Sequence, residues 1–241
     1  MSSTMNMEQA RFNMIEQQIR PWEVLDNQVL SLLALVRRED FVPLAHRALA
    51  FVDMEIPLDA GPASKREPGQ CMLAPKVEAR ILQDLAVQKH EKVLEIGTGS
   101  GYMAALLAHR GQSVITLEIN AALATSARRN LQKAGIYNAE VRTADGAAIQ
   151  SHAASGTDPA NDELNAPFDV IVLSGSVAEV PASLLALLKI GGRLSAIVGF
   201  EPVMRATLVT RVGQQAWRTT QAWDTVAPRL LHFPEPSKFT F

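Results

Sequence analysis

The sequence predicts an α/β fold in which a mostly parallel sheet carries helices on both faces. Two observations predict it. From residue 76 onward, short apolar runs alternate with longer helix-like runs, the pattern of strand and crossover helix in a parallel sheet. Strand-like runs such as "KVLEIG" and "FDVIVLSG" are almost wholly apolar, as strands covered on both faces are. With 241 residues, 47% hydrophobic and 20% charged, the chain can bury the sizeable core of one large α/β domain.

Residues 7–20 predict a helix with Phe12, Ile15 and Ile19 at helical spacing, closed by Pro21. Asp26 is placed to cap a second helix whose inner face is Val29, Leu30, Leu33 and Val36. Residues 38–58 predict a short helix and irregular chain, and 59–70, rich in Gly, Pro and charge, a loop. Helices are expected at 77–85, 102–110, 121–135 (ended by Gly135) and 181–189, and strands at 92–97, 113–119, 139–145, 168–175 and 191–200. Residues 206–225 predict an antiparallel hairpin turning near Gly213. The polar, small-residue stretch over 147–167 reads as a surface insertion, and the proline-containing tail from 226 as extended chain packed by its Leu and Phe residues. The expected division is a helical N-terminal segment with a loop, 1–75, and a sheet domain, 76–241, in one globular unit.

A net charge of -2 and a pI near 6.2 give no general attraction to nucleic acid or an anionic membrane. The single cysteine, Cys71, rules out an internal disulfide framework and fits a reducing compartment. Without a secretory pattern at the N-terminus or an apolar run of membrane length, the expected location is the cytoplasm, with neither nucleic acid nor membrane as partner. The five histidines show no metal-ligand spacing with one another or with Cys71, so no metal is expected. No base or cation that would activate Cys71 is evident, which makes it a small apolar side chain beside a pocket. Trp217 and Trp223, in the hairpin, are expected to pack.

The turn "GTGSG" follows a strand and opens a helix. Its glycines, Gly97, Gly99 and Gly101, let the chain bend tightly and let a ligand approach the backbone, with helix N–H groups facing it. The dinucleotide fingerprint G-x-G-x-x-G needs a glycine where this chain has Tyr102. Glu95, just before the turn, would repel a pyrophosphate but suits an ammonium group. S-adenosyl-L-methionine carries an ammonium, a sulfonium and no phosphate; NAD is disfavoured on charge and spacing alike. Glu118, ending the second strand, is placed to accept from ribose hydroxyls. Asp145, ending the third, is placed to accept from an adenine amino group, with Gly146 leaving room for the ring. Ligands of such sheets bind at the carboxyl ends of the strands, so these acids converge on one crevice. The expected cofactor residues are Glu95, Gly97, Thr98, Gly99, Ser100, Gly101, Glu118, Asp145 and Gly146, with S-adenosyl-L-methionine as cofactor and S-adenosyl-L-homocysteine as product.

Four segments extend beyond that motif: "REDFVPLAHRALAFVDMEIPL", with Asp53 and Pro57; "GQCMLAPKVEARIL"; "VLEIGTGSGYMAALLA"; and "FDVIVLSGSVAEVPASLLALLKIGGRLSAIVG". Together, from about residue 7 to 199, they resemble the protein-L-isoaspartate O-methyltransferases. The resemblance implies a Rossmann-like methyltransferase sheet with a helical N-terminal extension and a C-terminal β-hairpin. It also implies methylation of the α-carboxylate of isoaspartyl residues in damaged proteins or peptides, a repair reaction; a monomer or homodimer is expected. Gln70, Cys71, Met72 and Leu73 would then form the lip against the acceptor. Here the chain departs from the family, whose Thr-Ile-Ser becomes Cys71-Met72-Leu73. A thiol is a weak donor and Leu73 has none. Losing one hydrogen bond to a buried carboxylate costs roughly 1.5–3 kcal/mol. Two other readings stay open for that reason: methylation of a different acceptor, or S-adenosyl-L-methionine binding without turnover.

Overall fold

The computed structural model describes residues 2–59, 69–149, 164 and 166–236. Most of the 59–70 loop and of the 147–167 insertion lies outside the described residues. Within the described part, a seven-stranded sheet runs in the order β5-β4-β3-β6-β7-β8-β9. Its strands are β3 (Lys92–Ile96), β4 (Ser113–Glu118), β5 (Ala139–Thr143), β6 (Phe168–Val177), β7 (Leu188–Phe200), β8 (Val203–Gly213) and β9 (Ala216–Thr225). The first five are mutually parallel; β8 and β9 add antiparallel to β7 as the expected hairpin. In chain order the parallel part reads 3-2-1-4-5, the doubly wound arrangement whose switch point lies beside its first strand. The fold is therefore Rossmann-like.

Alternation along the central strands separates two cores. Val93, Val170 and Val172 face one, while Leu94, Ile171 and Leu173 face the other. The first core lies under α3 (Pro75–Leu85), α4 (Tyr102–Arg110) and α5 (Ala121–Lys133), and continues into the N-terminal segment through Leu33, Phe41 and Ile56. The second is thinner. The helix expected over 181–189 covers only Ala182–Ala186 (α6), because Leu188 and Lys189 already belong to β7. Leu230 and Phe233 of the C-terminal tail complete that cover.

The N-terminal segment departs from the expected single helix. After α1 (Ser2–Met14) the winding loosens to a π-turn at Ile15–Ile19 and tightens to a 3₁₀ turn at Arg20–Trp22, with Pro21 inside it. Ile15 and Ile19 are buried, but Phe12 is exposed. Asp26 caps α2 (Asn27–Leu35) as predicted, accepting from the N–H groups of Gln28 and Val29. Two short strands, β1 (Ile56–Pro57) and β2 (Cys71–Met72), pair antiparallel and hold both ends of the intervening loop together. Among the described residues, no helix is long and apolar enough to cross a membrane.

Candidate active site

At the carboxyl ends of β3, β4, β5 and β6 lies a crevice of about 400 Å³. Gly97, Gly99 and Gly101 hold φ values of +93°, +53° and +85°, which side-chain-bearing residues adopt only with strain. A Cβ on Gly97 would stand 3.0 Å from Leu230 and one on Gly99 3.1 Å from Leu58. The turn thus carries no bulk where tail and loop close on it. Thr98, Ser100 and Gly101 shape the turn without lining the crevice. Thr98 is buried against Thr116, and Ser100 accepts from the N–H of Tyr102, which starts α4.

Glu118 lines the crevice. Its Oε2 accepts from the N–H of Gly99 at 2.8 Å and its Oε1 from Asn120 at 3.0 Å. A carboxylate has about four acceptor positions, so capacity for a diol remains. Asp145 also lines it, accepting from the N–H of Ala147 through Oδ1 at 2.9 Å and facing His232 Nδ1 through Oδ2 at 2.7 Å. Gly146 lines the crevice and is also glycine for a reason inside the protein. Its missing Cβ would fall 2.4 Å from Ile96 Cγ2, so the side chain it makes room for belongs to β3.

Glu95 differs from expectation. It is fully buried beneath the crevice, not on its wall. Thr116 Oγ1 donates to its Oε2 and Ser174 Oγ to its Oε1, both at 2.7 Å. Burial pushes its pKa up to about 8, against the pull of those two hydroxyls. Ser174 does line the crevice, so Glu95 reaches a ligand only through that hydroxyl. Sequence reasoning overlooked Ser174. Its signal was available: a polar residue at the end of the apolar run "FDVIVL", close to where the other parallel strands carry their acids.

The lip also needs correction. Gln70 and Cys71 line the crevice, but Met72 and Leu73 are buried in the first core. The carbonyl of Leu73 accepts from Arg38 Nη2 at 2.7 Å, and Arg38 in turn pairs with Glu78 inside the core. This fully buried guanidinium turns the chain after Cys71 inward and was not foreseen. Cys71 donates to Glu55 Oε2 at 3.6 Å; burial, with Glu55 alongside, pushes the thiol up to about 12. It is a wall residue whose thiol is held in the protonated form at neutral pH, which disfavours a nucleophilic role.

The tail supplies the remaining wall. The N–H of Ser176 donates to Pro228 and the N–H of Leu230 to Ser176, so the tail runs as a short bridge beside β6. Leu230 then sits over Gly97 and Gly175. Trp223 packs against the first core, as expected, and donates to Asp84; Trp217, also expected to pack, is exposed.

Residues 9–222 match the family model described as Protein-L-isoaspartate(D-aspartate) O-methyltransferase. A protein-L-isoaspartate O-methyltransferase of Koribacter versatilis is 35% identical over 201 residues, 83% of this chain and 81% of that protein. Protein-L-isoaspartate O-methyltransferase 1 of Syntrophobacter fumaroxidans is 37% identical over 204 residues, 85% of this chain and 86% of the relative. In three dimensions, a Plasmodium falciparum protein-L-isoaspartate O-methyltransferase, crystallised with S-adenosyl-L-homocysteine, superposes with a TM-score of 0.73. At 18% identity, with 91% of this chain and 97% of the other covered, it supports the fold. By the extent of the family match and the identity of these relatives, the chain belongs to the protein-L-isoaspartate (D-aspartate) O-methyltransferase family.

Proposed function

We propose that this protein transfers the methyl group of S-adenosyl-L-methionine to the α-carboxylate of isoaspartyl residues in damaged proteins, as a repair enzyme. The observation that carries the reading is the crevice itself. A backbone bent by three left-handed glycines faces two strand-end carboxylates, in a chain whose family is defined by this activity. The crevice offers acceptors for a ribose and an adenine, and among the described residues that line it Arg229 is the one Lys or Arg. Its volume suits a nucleoside-sized ligand.

The cofactor supplies an electrophilic methyl group on a sulfonium. Glu118 would accept from the ribose hydroxyls of the cofactor, and Asp145 from its adenine amino group. Ser174, which lines the crevice and donates its proton to Glu95, would offer its oxygen lone pairs to the cationic end of the cofactor. The acceptor needs no general base, because a carboxylic acid with a reference pKa of about 4 is already ionised at neutral pH. What remains for the protein is to align the carboxylate and exclude water. Gln70 and Cys71 face the acceptor from the lip, and Leu58 and Leu230 close the sides. Leu73, which opened the alternative acceptors and the non-catalytic reading, has its side chain in the core, away from the crevice. Neither alternative is favoured. The reading includes a cytoplasmic location, consistent with one free cysteine, and a monomeric or homodimeric enzyme.

Incubation with methyl-labelled S-adenosyl-L-methionine and paired isoaspartyl and aspartyl peptides tests it. Label is expected on the isoaspartyl peptide alone. No label above background on that peptide overturns the reading.

A further inference from the structure

A second and larger concavity, of about 930 Å³, runs between the N-terminal segment and α5. It meets the cofactor crevice at Leu58, Gly99 and Leu123, so whatever lies in it passes the mouth of the site. Its charge is one-sided. Arg37, Arg129 and Lys133 are exposed along it and pair with no acid among the described residues. The two acids of its wall are already answered, Glu39 by Arg11 and Asp40 by Arg47. Burial and the neighbouring Lys89 hold the His109 pKa below its ordinary value, so this residue adds no charge at neutral pH.

Arg129 and Lys133 stand four residues apart on one face of α5, a like-charge pairing that slightly disfavours the helix. The dipole at the helix end compensates Lys133 but falls off before Arg129. Three cations in a concave wall with no acid partner among the described residues, on a protein of net charge -2, form a local positive field that an acidic partner meets favourably. Leu35 and Leu44, 65% and 85% exposed, line the same groove. Apolar side chains between cations fit a polypeptide better than a nucleic acid backbone.

We infer that this groove docks an acidic, partly apolar segment of the substrate protein flanking the methylated residue. The enzyme then favours damaged sites in carboxylate-rich surroundings. The inference rests on the reading that the acceptor is a protein.

The test uses the full chain saturated with S-adenosyl-L-homocysteine and a short fluorescent peptide containing glutamates and leucines but no isoaspartate. By anisotropy, this peptide is expected to bind at least about tenfold tighter than its counterpart with lysine for glutamate. The triple variant Arg37→Glu, Arg129→Glu, Lys133→Glu, with its thermal midpoint measured to confirm folding, is expected to lose that preference. Arg129→Gln alone, a milder surface change, reports the same loss in part should the triple variant fail to fold. Equal binding of both peptides, an unchanged preference in the variants, or tighter binding of a single-stranded oligonucleotide overturns the inference. If the acidic preference holds while no isoaspartyl peptide is methylated, the groove stands and the acceptor reading falls; methylation without the preference gives the reverse.

Discussion

His232 Nδ1 lies 2.7 Å from Asp145 Oδ2, tying the C-terminal tail to the acid that ends the third parallel strand. His232 adopts a left-handed φ of +64° to make this contact, a conformation disfavoured for a residue with a side chain. An adenine amino group seeking Asp145 must therefore share it with the tail. His232→Ala is expected to tighten S-adenosyl-L-homocysteine binding in calorimetry. The gain should not exceed about fivefold, since exposed pairs contribute at most about 1 kcal/mol. The main-chain bond from Leu230 to Ser176 keeps the tail in place in that variant. Weaker binding would mean that the imidazole contacts the ligand itself and does not compete with it.

Glu95 makes folding stability depend on pH in a defined direction. Burial raises its pKa from 4.5 to about 8, so between these values the folded protein holds a proton that the unfolded chain has released. Stability from this group is complete below about pH 4.5 and is lost as pH rises toward 8. Glu78, raised to about 7, acts in the same sense over part of the same window. Glu95→Gln retains a donor and an acceptor for Thr116 and Ser174 but cannot titrate. Thermal midpoints measured from pH 5 to 8.5 are expected to fall less steeply in the variant than in the parent protein. Equal slopes would remove Glu95 as the cause.

The strands, helices and glycine turn were legible because each is written locally. Apolar runs mark β3 and β6, Asp26 caps α2, and the turn glycines announce positive φ. Glu118 and Asp145 were legible for the same reason, as acids at strand ends. Three features depended on contacts distant in sequence and were missed. Arg38 finds Glu78 and Leu73 across 40 and 35 residues and turns the lip inward. Ser174 reaches Glu95 across 79 residues. The tail closes the crevice only because β6 bridges to Arg229. No period or cap encodes such pairings; they follow from where the finished sheet brings chain ends together.

The buried Arg38–Glu78 pair makes an asymmetric prediction. Arg38 is fully buried, Glu78 nearly so, and desolvation has raised the carboxyl despite its partner. Removing one member leaves a buried group uncompensated, at a cost of about 3–5 kcal/mol. Arg38→Leu should therefore lower the urea midpoint sharply. The double variant Arg38→Leu, Glu78→Leu should recover much of the loss, because both charges leave together. Recovery is incomplete, since the Leu73 carbonyl loses its donor, a deficit of about 1–3 kcal/mol. Additive losses in the double variant would show that the two residues are not coupled.

Cys71 and Leu73 both replace hydroxyl-bearing residues of the family's pattern, yet they predict opposite outcomes. Leu73 is packed in the first core, so Leu73→Ser removes buried apolar volume and adds a buried hydroxyl. Truncations of this kind cost about 2–5 kcal/mol. The variant should unfold at lower urea without gaining methyltransferase activity. Cys71 faces the crevice with a thiol held protonated, pushed up to about 12. Cys71→Ser puts a stronger donor at the same point, available to an acceptor carboxylate once it turns from Glu55. The KM for an isoaspartyl peptide is expected to fall by up to about tenfold, within the range of a hydrogen bond to a charged group, with kcat nearly unchanged. A gain in Leu73→Ser, or none in a stably folded Cys71→Ser, would show that the lip presents a different residue to the substrate from the one the structure assigns.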